Sequence, residues 1–115
     1  MSRTDEELVR DALDHIEILK SHLAKAGVDE AVVADAVNMR LAATIESLAQ
    51  TSEAFRQSHF GDEWPLMKAT RNRISHGYSF VSQDIIFMTI ANRLPGLEAT
   101  LRAALVEGFS QEGNS

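Results

Sequence analysis

The run Arg71-Asn72-Arg73-Ile74-Ser75-His76-Gly77-Tyr78 brings a permanent cation, a titratable imidazole and a phenol together in one short segment. Each suits attack on a phosphodiester. The guanidinium of Arg71 can grip a phosphate through parallel N–H donors and stabilise charge gathering on its non-bridging oxygens, without losing a proton. The imidazole of His76 titrates near neutrality, so it can take the proton of a ribose 2′-hydroxyl or deliver one to the leaving oxygen. Together they suit internal transesterification of RNA, which leaves a 2′,3′-cyclic phosphate and calls for neither metal nor cofactor. DNA lacks the hydroxyl nucleophile and would be inert. Lys68, Arg71 and Arg73 have no acid between them, so any RNA contact outside the reacting atoms is expected at Lys68 and Arg73.

Helix geometry constrains this chemistry. At about 100° per residue, Arg71 and His76 leave a helix axis about 140° apart, so one regular helix does not aim both at one atom. Asn72 and His76, four apart, do share a face. The expectation is that Asn72 orients the imidazole and that a two-fold homodimer completes the site with two copies of the segment. A plainer reading of the spacing stays open: an Arg and a His near a helix C-terminus also serve simply as favourable charges for the last carbonyls.

Other chemically capable residues carry weaker patterns. His15 and His22 are seven apart and form no i, i+4 pair or His-Glu-x-x-His run, so they read as surface residues and not as metal ligands. His59 reads as surface too. Trp64, Phe80 and Phe87 could stack on bases, but Trp64 and Phe87 fit a bundle interior better. Arg40 and Arg93 either extend the basic surface or form salt bridges. Glu46, isolated among apolar neighbours, is expected to be buried and to pair with an Arg of the motif helix, positioning it.

Helices must place these groups. Thr4-x-x-Glu7 has the spacing of a capping box, and Leu8, Ala12, Ile16, Leu19 and Leu23 follow at helical spacing toward Gly27. After a break at Gly27-Val28-Asp29, Val33, Val37, Leu41, Ile45, Leu48 and Phe55 mark one long helix through about Gln57. A turn at His59-Phe60-Gly61 leads, with Asp62 as cap and Pro65 in the first turn, to a third helix ending near Gly77. Past a brief Tyr78-Ser79-Phe80-Val81 run, Ser82 is placed to cap a last helix. Ile86, Ile90, Leu94, Leu97, Leu101 and Leu105 keep helical spacing across Pro95, which predicts one helix kinked there. The fold class is all-α, an antiparallel bundle of four to five helices, with one domain over 1–106 and a polar, flexible tail expected over 107–115.

The 115 residues suffice for one core. With 44% apolar and 24% charged residues the composition is that of a globular protein, and no apolar run is long enough to span a membrane. An acidic start without a signal-type apolar run reads as cytoplasmic. The lack of cysteine excludes disulfides, thiolate zinc sites and thiol nucleophiles. A net charge of −6 argues against an extended nucleic-acid surface and confines contact to the local basic patch.

The motif, followed by Asp84-Ile85-Ile86-Phe87 and Leu94-Pro95-Gly96-Leu97, resembles the C-terminal half of HepT-like proteins, which have the HEPN fold. Trp64 matches the tryptophan that opens the family's motif helix. Glu46 matches a Gly-Glu position at which Ile45 replaces the glycine. The resemblance covers residues 5 to 106 and is strongest from Trp64 to Leu97. It implies a dimeric ribonuclease that acts as the toxin of a toxin–antitoxin pair, with an MntA-like minimal nucleotidyltransferase as antitoxin. It also implies catalytic roles for Arg71 and His76, a supporting one for Asn72, and Tyr78 as the acceptor of adenylylation. A phenol two residues past the histidine is close enough for added nucleotide phosphates to repel RNA. A second reading, favoured by the acidic charge, is a non-catalytic HEPN module that binds such a nucleotidyltransferase and is modified by it.

Overall fold

The computed structural model describes residues 3–25, 30–77 and 83–109, apart from the side chains of Glu30 and His76. These residues form five α-helices and no strand: α1 (Asp5–Leu23), α2 (Glu30–Ala49), α3 (Glu53–His59), α4 (Glu63–Gly77) and α5 (Gln83–Glu107). The all-α bundle is as the spacing predicts. The break at Gly27-Val28-Asp29, the run from Tyr78 to Val81 and the cap at Ser82 lie outside the described residues.

α1 starts where the capping pattern places it, with the Thr4 hydroxyl oxygen accepting the Glu7 N–H at 3.1 Å. It buries Leu8, Val9, Ala12, Ile16 and Leu19 against α2, which presents Val37, Leu41, Ile45 and Leu48. α2 is the central element, packed between α1 and α4, while α5 closes against α1. From α5 the residues Ile86, Ile90, Leu94, Leu101 and Ala104 enter the core, and the helix runs unbroken past Pro95, as a single apolar stripe requires. The core continues beyond the last helix. Gly108, at φ +86°, turns the chain so that Phe109 packs on it and stacks on Phe55 at 5.8 Å.

One helix boundary differs from expectation. The second helix does not reach Gln57; it stops at Ala49, and Phe55 belongs to α3. The cause is polar and local. Thr51 is buried and its hydroxyl donates to Leu48 O at 2.6 Å, and Ser52 caps α3 by accepting the Phe55 N–H at 3.1 Å. Arg56 then donates to the carbonyls of Ala49, at 3.1 Å, and Thr51. Side chains thereby satisfy the carbonyls that a continuing helix would have bonded, so the chain bends while the apolar stripe runs on.

A surface ion network ties α1 to α5. Glu98 accepts from Arg102 at 2.8 Å and from Lys20 at 3.2 Å, and Arg102 also reaches Glu17 at 3.1 Å. The Arg102 hydrogen bond is the main reason the Glu98 carboxyl lies below its ordinary range; partial burial pushes it up, and Lys20 adds to the depression. A depressed carboxyl contributes stability above its unfolded value of about 4.5 and loses it as pH falls through the lower folded value. Glu98→Gln should therefore cost at most about 1 kcal/mol at pH 7, since solvent screens the half-exposed cations. In urea titrations the gap to the parent protein should narrow as the pH falls below about 4.5. A gap unchanged at pH 3 would mean packing, and not charge, is what Glu98 supplies.

Candidate active site

α4 is anchored at its start. Trp64 is half-buried on the core, stacked on Phe60 at 6.0 Å, and the Arg56 guanidinium sits 5.4 Å from its ring centroid. The core-packing reading of Trp64 and Phe87 therefore agrees with the structure, while Phe80 lies outside the described residues. Further along, Ile74 is buried and fixes the helix's rotation about its axis. That rotation sets where each motif residue points.

Arg71 is turned toward α2. Its guanidinium pairs through one terminal nitrogen with the Glu46 carboxylate, and its Nε donates to Asn72 Oδ1 at 3.0 Å. The side chain is 22% exposed, enough to be reached from solvent but held from both sides. These bonds engage two of the five N–H donors of a guanidinium, so a phosphate can be bound without releasing Glu46. The expected partnership of Glu46 with a motif arginine is present, but its burial is not. Glu46 is 54% exposed, because Ile45 faces the core and the next position turns about 100° outward. Pairing at the surface removes the need to desolvate two charges.

Lys68, Asn72 and Arg73 are exposed on the same helix. The side chain of His76 and all of Tyr78 lie outside the described residues, and with them the expected contact between Asn72 and the imidazole. The backbone of α4 is helical through Gly77, so positions 71 and 76 keep their separation of about 140°. Arg73 points to a different side from Arg71. It borders a cleft of about 330 Å³ between α2, α4 and α5, across which Arg93 of α5 stands paired with Glu63 at 3.8 Å.

The remaining polar candidates serve the scaffold. Arg40 does not extend the basic surface: it donates to His15 Nδ1 at 3.1 Å and so bridges α2 to α1. His59 is half-buried; its ring stacks on Phe55 at 4.2 Å and its Nδ1 donates to Phe55 O at 3.0 Å. Among the described residues no three of His, Asp and Glu are grouped to hold a metal, and no helix is long and apolar enough to cross a membrane.

Spacing gave no sign of one contact that bears on the site. Buried Asn38 of α2 exchanges amide hydrogen bonds with Gln83, at 3.0 and 3.4 Å, and so fixes the first residue of α5. An asparagine on an otherwise apolar helix face is the only sequence mark it leaves. The profile of the family described as ribonuclease HepT-like matches residues 9–104 of the chain. Neither a curated protein nor a solved structure matches it.

Proposed function

Because the chain belongs to the HepT-like ribonuclease family, we propose that it is a metal-independent endoribonuclease that cuts RNA through a 2′,3′-cyclic phosphate. The observation that carries this reading is the guanidinium of Arg71, oriented from two sides by Glu46 and Asn72 and still open to solvent. A pre-set cation of that kind stabilises the charge that develops on a phosphate without reorganising during the reaction. His76 supplies the proton transfers, and Asn72 acts as the shared support of both groups. Since Arg71 and His76 diverge around one helix, the site is completed across a homodimer. Lys68 and Arg73 hold the flanking phosphates.

In this reading the enzyme is the cytoplasmic toxin of a HepT/MntA-type pair. A minimal nucleotidyltransferase neutralises it by adding nucleotide to Tyr78, where the new phosphates exclude the RNA backbone.

The test is direct. Purified protein incubated with RNA in EDTA should produce fragments ending in 2′,3′-cyclic phosphate and leave DNA of the same sequence intact. An absence of RNA cleavage would instead favour a non-catalytic module that serves the nucleotidyltransferase as partner. Loss of cleavage in EDTA, with recovery on adding Mg²⁺, would overturn the metal-independent mechanism.

A further inference from the structure

The cleft beside the motif has the make-up of a nucleotide site. Its walls are apolar at Met67 and Leu97, and each of its two outer helices adds a hydroxyl residue, Thr70 from α4 and Thr89 from α5. Its mouth carries two guanidiniums, Arg73 and the 63% exposed Arg93, against the single carboxylate of Glu63. That excess of positive charge stands on a chain whose net charge is −6. A volume of about 330 Å³ falls at the small end of ligand pockets. Arg73 precedes His76 by three residues, about 4.5 Å along the axis of α4.

We propose that this cleft receives one unpaired base of the RNA, next to the phosphate that is cut, while Arg73 and Arg93 hold phosphates of the same strand. The proposal rests on the ribonuclease reading above and adds to it the site that selects the nucleotide. Single-strand sites combine a cationic track for the backbone with pockets or platforms for bases, and guanidinium planes serve both. The Thr70 hydroxyl donates to Leu66 O at 3.1 Å and keeps its oxygen free to accept, so it and the hydroxyl of Thr89 can meet the polar edge of a base, which an apolar peptide side chain would leave unused. An RNA strand therefore fits both the wall and the mouth.

The test uses a 2′-O-methyl RNA oligonucleotide, which has no free nucleophile and cannot be cut, bound to the full chain at a series of salt concentrations. Thr89→Phe fills the cleft and should weaken binding roughly tenfold without changing the salt dependence. Arg73→Gln with Arg93→Gln should instead flatten the slope of log affinity against log salt by about 1.4, at roughly 0.7 per phosphate contact on a single strand. Removing Arg3 and Arg10, near the start of α1, should leave that slope as it is. If both cleft variants bind like the parent while the parent cuts RNA, the base pocket is refuted and the ribonuclease stands. If the parent neither binds the oligonucleotide nor cuts RNA, both readings fall. A change of oligomeric mass in Thr89→Phe, measured by light scattering, would overturn the pocket by showing that the cleft seats protein.

Discussion

Arg71→Ala should lower the rate of RNA cleavage by roughly a hundredfold or more, the loss of about 3 kcal/mol expected when a donor aimed at developing charge is removed. His76→Ala should abolish it, since no neighbouring group in the motif titrates near neutrality. Neither change should unfold the protein. Arg71 is bonded only at the surface of the bundle, and a substitution at the end of α4 should cost about 1 kcal/mol or less. The more telling experiment mixes the two inactive variants. If the guanidinium and imidazole that serve one phosphate come from different subunits, mixed dimers regain one intact site and part of the activity. If mixing restores nothing, each subunit must assemble its own site, and the divergence of positions 71 and 76 would have to be overcome by the substrate's path. An Arg71→Ala loss below about fivefold would reduce Arg71 to a charge that complements the helix end.

Periodicity made most of this architecture legible, because burial in a bundle follows the 3.6-residue repeat and leaves its mark on every turn. With the cap and turn residues it located α1 after Thr4, α4 between the turn at His59-Phe60-Gly61 and Gly77, and α5 across Pro95. It failed where polar side chains redirect the backbone. The apolar stripe from Val37 to Phe55 is continuous in the sequence, yet the chain bends under it, since Thr51, Ser52 and Arg56 take over the carbonyl and amide bonds of a continuing helix. The site shows the same division. That Glu46 would meet a motif arginine followed from its being an acid on an apolar helix, whereas its exposure depended on the rotation of α2, which Ile45 sets. Arg40 and Arg93 look alike in the sequence; packing alone sends one to His15 and the other to Glu63 at the cleft. Such long-range pairings, Asn38 with Gln83 among them, have no periodic signature to read.

The bend between α2 and α3 gives the second large expected effect. Asp5, 9% exposed in the first turn of α1, accepts the Ser52 N–H at 2.8 Å and the Ser52 hydroxyl at 2.7 Å, and that hydroxyl oxygen in turn accepts the Phe55 N–H. One carboxylate thus closes a chain of hydrogen bonds from the start of α1 through the bend to the cap of α3, and each bond polarises the next. Hydrogen bonds to a charged group contribute about 1.5–3 kcal/mol, and removal of this acceptor breaks both bonds from Ser52. Asp5→Ala should therefore cost about 2–3 kcal/mol, or roughly 10 °C in Tm for a domain of this size. Ser52→Ala should cost less, about 1–2 kcal/mol, because Asp5 keeps the backbone donor. Since the two side chains share one bond, the double variant should be less destabilised than the sum of the singles by at least about 0.5 kcal/mol in urea titration. Strict additivity, or an Asp5→Ala cost below about 0.5 kcal/mol, would show that α3 holds its place through Phe55 and its aromatic neighbours alone. The motif lies on a separate helix, α4, so cleavage per folded molecule should stay at the parent level in Asp5→Ala at temperatures well below its Tm.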